Sequence, residues 1–188
     1  MIRRPTLRGL LVGTSGSAAL EMALWVGVIV VPLLSVTDIG LYGYRKMQVQ
    51  VAAQQGAEAV RRACGFAAAP VTDTTQCAAS TLANAISSGL AGTSLGTDVT
   101  LASGYPIEGY YCVNNTTGVL TAVGTLGTTG SPPTGTATCT GVNTGSTAPP
   151  VDYIRVKVTY TYSPMFSSLS VGSLLTTPIT GEAWLRLG

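Results

Sequence analysis

No histidine occurs anywhere in the 188 residues, which removes the commonest general base and the commonest nitrogen ligand for a transition metal. Charge is nearly as scarce. Only 10% of residues are Asp, Glu, Lys or Arg and the formal net charge is +2, so there is no basic field to hold a phosphate backbone by counterion release. A nucleic-acid partner is not expected. A Walker loop and a nucleophile-elbow serine are also missing. The acids Asp73, Asp98, Glu108, Asp152 and Glu182 are scattered along the chain and read as solvated surface groups. These absences predict a protein that is not an enzyme, holds no metal or cofactor and takes no small-molecule substrate.

The four cysteines, Cys64, Cys77, Cys112 and Cys139, are even in number and irregularly spaced, with no C-x-x-C pair. Zinc-ribbon and thioredoxin spacings are excluded, and disulfides in an oxidising compartment are the better account. Of three possible connectivities, sequence order favours Cys64 with Cys77 and Cys112 with Cys139. The first bridge would clip two helices together through a short loop, contributing about 3 kcal/mol if unstrained.

What the chain does have is one long apolar run. Met22 to Thr37 contains sixteen residues without a charge, and Leu20, Ile39, Leu41, Tyr42 and Tyr44 extend its character. At about 1.5 Å per helical residue, Ser17 to Tyr44 reaches roughly 40 Å, enough to cross a hydrocarbon core of about 30 Å. With no polar face, the run predicts a transmembrane helix rather than a buried core helix. Pro32 is tolerated in such a span because neighbouring groups can satisfy the freed carbonyl. A basic leader carrying Arg3, Arg4 and Arg8 precedes it. The small-residue stretch Thr14 to Ala19 lies upstream of the apolar run, whereas a secretory signal would place its cleavage site downstream. A cut there would remove the leader and leave the span as the new N-terminus. Arg45, Lys46, Arg61 and Arg62 on the far side balance the leader arginines, so charge alone does not set orientation.

The residues Gly16-Ser17-Ala18-Ala19-Leu20-Glu21-Met22 resemble the processing site of type IVb, or Flp-class, prepilins. The resemblance implies that a prepilin peptidase cuts after Gly16, that Ser17 becomes the mature, methylated N-terminus, and that Glu21 is the fifth mature residue. Physical chemistry supports a role for Glu21. A carboxylate costs about 2.5–3.5 kcal/mol if carried to the centre of a membrane helix, and the α-amine created at Ser17, in the same or a neighbouring subunit, could neutralise it. Met22 stands where Flp pilins usually have an aromatic, and Flp-type major subunits are much shorter. Both departures fit a minor component.

Asp38-Ile39-Gly40 and the run Gln54 to Arg61 resemble the TadE-like minor pilins and pseudopilins of Tad (tight-adherence) pilus systems. From the residues alone, Asp38 reads as a solvated carboxylate at the membrane interface. The family resemblance implies an inner-membrane, single-pass protein with its C-terminal part in the periplasm or outside. Its implied partners are the membrane, prepilin peptidase and other pilin and pilus-assembly subunits, and its implied role is pilus assembly and adhesion. The alternative is an uncleaved, signal-anchored extracytoplasmic binding domain.

The expected fold is α+β: leader 1–16, transmembrane helix 17–44, then an extracytoplasmic pilin-like domain 45–188. Val49, Ala53, Ala57, Val60 and Cys64 form one apolar stripe that continues the helix. After a break at Gly65 and Pro70, Ala78, Leu82, Ala85, Ile86 and Leu90 predict a second helix, with Gly89 and Gly92 marking its end. Strands of an antiparallel sheet are expected at 98–102, 109–113, 151–162 and 179–187, with Ile154, Val156 and Val158 on one face and Arg155 and Lys157 on the other. The Thr/Gly/Ser/Pro-rich stretch 114–150 reads as a surface loop, closed by Cys112 and Cys139. Ser163 to Leu175 resembles the apolar loop between the last two strands of TadE-like proteins.

Overall fold

The computed structural model describes residues 14–64, 71–72, 77–123 and 138–187. Most of the leader, the break at Gly65 and Pro70, Asp73 and the middle of the Thr-rich stretch lie outside the described residues. The fold is α+β: helix α1 (Thr14–Cys64), helix α2 (Ala79–Ala91) and an antiparallel sheet of β1 (Val99–Leu101), β2 (Ile107–Val113), β3 (Leu120–Ala122), β4 (Val151–Tyr160) and β5 (Ile179–Arg186). The chain divides into two compact units. One comprises the described part of 1–43 with 163–175, and the other the described parts of 44–162 and 176–188.

In the second unit β4 organises the sheet. It pairs with β5 along one side, from Tyr153↔Arg186 to Tyr160↔Ile179. Its other side pairs with β2 at one end and β1 at the other, and β3 extends β2 outward. Strict alternation buries Ile154, Val156 and Val158 completely, as expected from period-2 patterning. The predicted helix stripe is also observed: Val49, Ala53, Ala57 and Val60 are buried, joined by Ala52. Small residues bring backbones close. A Cβ on Gly56 would touch Leu90, Val156 and Ile86, so α1, α2 and β4 meet there, and a Cβ on Gly181 would lie 2.7 Å from the Val49 carbonyl oxygen.

Two expectations change in this unit. Gly89 does not end α2, which runs to Ala91 and is capped by Gly92. Its missing side chain serves packing, since a Cβ there would sit 2.8 Å from Ala59 Cβ and 3.0 Å from the Gln55 carbonyl oxygen. The stretch 114–150 is not all loop, because Leu120–Ala122 pairs with β2 and Cys139–Gly141 forms a 3-10 turn. Asn143 stitches that turn to the sheet, donating to the Val113 carbonyl at 2.7 Å and accepting from the Asn115 N–H at 2.9 Å.

The outer side of β5 meets a side chain of α1. The Gln50 amide donates to the Glu182 carbonyl at 2.7 Å and accepts from the Glu182 N–H at 3.3 Å. On the sheet face away from Ile154, the Arg155 guanidinium lies 5.1 Å from the ring centres of both Tyr105 and Trp184 and donates to the Tyr105 hydroxyl at 2.6 Å.

Candidate processing and assembly site

Gly16, Ser17 and Glu21 all lie in the first turns of α1 and are exposed. Glu21 lies four positions after Ser17, so the two share a helix face one turn apart, about 6 Å along the axis. Among the described residues Glu21 has no ion-pair or hydrogen-bond partner within the chain. Nothing lies within 4 Å of a Cβ built on Gly16, so the intramolecular packing does not require glycine there. From Gly16 to Leu33 every side chain of the helix is exposed. This helix is long and apolar enough to cross a membrane, and its most apolar stretch buries nothing within the chain.

The other acid of this unit has the opposite surroundings. Asp38 is 0% exposed, which corrects the expectation of a solvated interfacial carboxylate. The segment 163–175 folds over it: the Met165 N–H donates to Oδ1 at 3.0 Å, the Phe166 N–H to Oδ2 at 3.3 Å, and the Ser170 hydroxyl also donates to Oδ2. One turn earlier, Ser35 Oγ accepts from the Val171 N–H at 3.4 Å. Gly172 allows the close approach, because a Cβ there would lie 2.7 Å from both Asp38 Oδ2 and Pro164 Cβ. A carboxylate surrounded by N–H and O–H donors is the compensated form in which a charge can be buried.

Both cysteine pairs are disulfides, Cys64 with Cys77 and Cys112 with Cys139, the connectivity that sequence order favoured. The first joins the end of α1 to the start of α2, and the second ties β2 to the 3-10 turn. Among the described residues no group of His, Cys, Asp and Glu side chains is placed to hold a metal.

Residues 16–58 match the family model described as TadE-like protein. It is this segment, about a quarter of the chain, that is TadE-like. No curated protein and no solved structure matches the chain. The TadE-like match covers Gly16, Ser17, Glu21 and Asp38, and it ends within the buried stripe of α1.

A second correction concerns two of the scattered acids. Glu108 and Asp152 are buried on the core face of neighbouring strands. Glu108 accepts from the Val71 and Thr72 N–H groups, each at 2.7 Å, and from the Thr72 hydroxyl at 2.5 Å. Among the described residues neither carboxyl oxygen of Asp152 has a well-formed hydrogen bond, and the Tyr153 N–H only partly offsets its burial. Burial, reinforced by the adjacent Glu108 carboxylate, pushes its carboxyl up to about 7. A proton retained on Asp152 lets it donate to Glu108, which the ionised pair cannot do. The Tyr110 hydroxyl is raised too, first by burial and then by these two acids. The signal was present in the sequence, since Asp152 shares parity with Ile154, Val156 and Val158, and Glu108 with Tyr110 and Cys112. Nothing in this pair suggests substrate chemistry; it anchors the segment before α2.

Proposed function

We propose that this TadE-like chain is a minor pilin or pseudopilin, held in the inner membrane by α1 with its disulfide-bonded unit outside the cytoplasm, that takes part in assembling a Tad/type IVb pilus. The observation that carries the reading is the TadE-like segment itself, whose first part, the apolar and exposed stretch from Gly16 to Leu33, keeps one carboxylate, Glu21, with no partner among the described residues of its own chain. A membrane-edge acid of this kind is expected to find a partner on another subunit or on a newly made α-amine. Two disulfides support an oxidising compartment for the C-terminal part. Prepilin peptidase is the processing partner in this reading, cutting between Gly16 and Ser17, and no catalytic activity of the chain itself is proposed.

The N-terminal mass tests it directly. A mature chain beginning at Ser17 supports the pilin reading, and an intact leader supports the uncleaved, signal-anchored binding domain instead. Replacing Gly16 by a bulky residue should leave a larger, unprocessed band. Glu21→Ala should leave protein level and disulfides normal while piliation or surface attachment is lost; piliation equal to wild type would reduce Glu21 to an interfacial residue. Localisation in sheared fibres or in membranes then separates a fibre subunit from a membrane-resident assembly factor.

A further inference from the structure

The segment 163–175 presents apolar side chains outward. Met165 is 69% exposed, Leu169 58%, Val171 44% and Leu174 83%. A surface loop in water is ordinarily polar, and leaving such side chains hydrated forfeits about 25 cal/mol for each Å² of apolar surface. The stretch is also free of charge, since no ionisable acid or base other than tyrosine occurs between Lys157 and Glu182. Much of its backbone is satisfied internally. The N–H groups of Met165 and Phe166 bond Asp38, Val171 bonds Ser35, Gly172 bonds the Ser170 hydroxyl, Leu169 and Ser170 bond the Phe166 carbonyl, and Leu175 bonds the Gly172 carbonyl. Apolar side chains outside, hydrogen bonds inside and no charge are the properties demanded by a medium poorer in water than bulk solvent.

The level of attachment identifies that medium. The segment is fastened to α1 at Ser35 and Asp38, at the end of the sixteen uncharged residues from Met22 to Thr37. Those residues span about 24 Å at 1.5 Å each, against a hydrocarbon core of about 30 Å, so Asp38 stands near its edge. Leu33, Val36 and Ile39 of α1 are exposed at the same level. Ser167, Ser168 and Ser173 suit the headgroup boundary better than the hydrocarbon centre.

We propose that Ser163–Leu175 is a membrane-interface loop, with Met165, Leu169, Val171 and Leu174 seated at the headgroup–acyl boundary of the leaflet through which α1 leaves the bilayer, and with Asp38 as the internal clamp that sets its depth. The proposal rests on α1 being a membrane anchor, as in the reading above.

The test uses the full chain reconstituted in phosphatidylcholine–phosphatidylglycerol vesicles whose lipids carry bromine either close to the headgroup or at mid-chain. Trp25 and Trp184 are the native tryptophans. A form with Trp184→Phe reports the anchor through Trp25, and a form with Trp25→Phe, Trp184→Phe and Leu174→Trp reports the loop. Met165→Trp in place of Leu174→Trp gives a second, independent loop reporter. The expected result is quenching of Trp25 by brominated lipid, together with loop reporters that lose most of their emission to the shallow bromines and less to the mid-chain ones. Loop reporters quenched only by aqueous acrylamide, while Trp25 is quenched by lipid, would overturn the loop and leave the anchor standing. Loop reporters shielded from both quenchers, and exposed on dilution into excess lipid, would overturn it in favour of contact with a second copy. A Trp25 untouched by any brominated lipid would remove the anchor and the loop proposal with it.

Discussion

Replacing Asp38 by alanine removes the acceptor for two N–H groups and a hydroxyl that come from residues 127 to 132 positions away. A hydrogen bond to a charged group contributes about 1.5–3 kcal/mol, and a donor left buried without a partner costs about 1–3 kcal/mol. Because the three share one carboxylate their effects are not additive, and a net loss of about 3 kcal/mol for the local fold of 163–175 is a conservative figure. At about 1.4 kcal/mol per decade, that lowers the protection of the Met165 and Phe166 amides against hydrogen exchange by roughly a hundredfold. The assay is exchange on the full-length protein in lipid, read peptide by peptide, with β4 as the internal reference because its core residues belong to the other compact unit. Asp38→Asn, which keeps one acceptor oxygen but turns an N–H₂ towards the remaining donors, should fall between wild type and alanine. Unchanged protection at 165 and 166 in Asp38→Ala would refute the clamp. Equal loss of protection in β4 would also refute it, since the effect would then be global.

Three further predictions concern the second unit. Burial and the Glu108 carboxylate raise the Asp152 carboxyl from 3.8 to about 7 in the folded chain; the folded state therefore binds the extra proton, and stability falls as pH rises through that window and levels off above it. Asp152→Asn should flatten this dependence in thermal unfolding, and parallel wild-type and mutant profiles would contradict the assignment. Gly89→Ala places a methyl group against Ala59 and the Gln55 carbonyl and should lower stability by about 1–3 kcal/mol, the usual cost of overpacking, seen as an earlier denaturant midpoint; an unchanged midpoint would show that α1 and α2 can move apart freely. Mass analysis of native protein without reduction should find no alkylatable thiol, and four free thiols would contradict both disulfides.

Much of the fold was legible because its signals are local. The alanine-rich stripe of α1, the alternation of β4 and the apolar run before Asp38 each follow from periodicity within one segment. Ends of elements were less so: β2 begins two residues before Gly109, at Ile107, and β3 is hidden in a threonine- and glycine-rich stretch with little patterning. Gly89 was read as punctuation because glycine ends helices often, while the close approach of α1 that requires it is a tertiary fact. The site divides in the same way. Glu21 was singled out by spacing to Gly16, which is local, whereas the burial of Asp38 depends on a loop far along the chain. Asp152 and Glu108 were missed for a different reason, since strand parity placed both on the core face and residue type was allowed to outweigh it.

The Gln50 amide at the rim of β5 has a consequence for how copies of this chain meet. An uncovered strand rim is a template for pairing with any extended segment, including the same strand of another molecule. Gln50 offers Glu182 one acceptor and one donor, as a neighbouring peptide unit would, so a single side chain occupies the place of an added strand. Helix α1 thus covers the peptide groups of Glu182 on the β5 rim. Unwinding α1 at Gln50 by heat would uncover the Glu182 peptide groups and leave that part of the rim open to an extended segment.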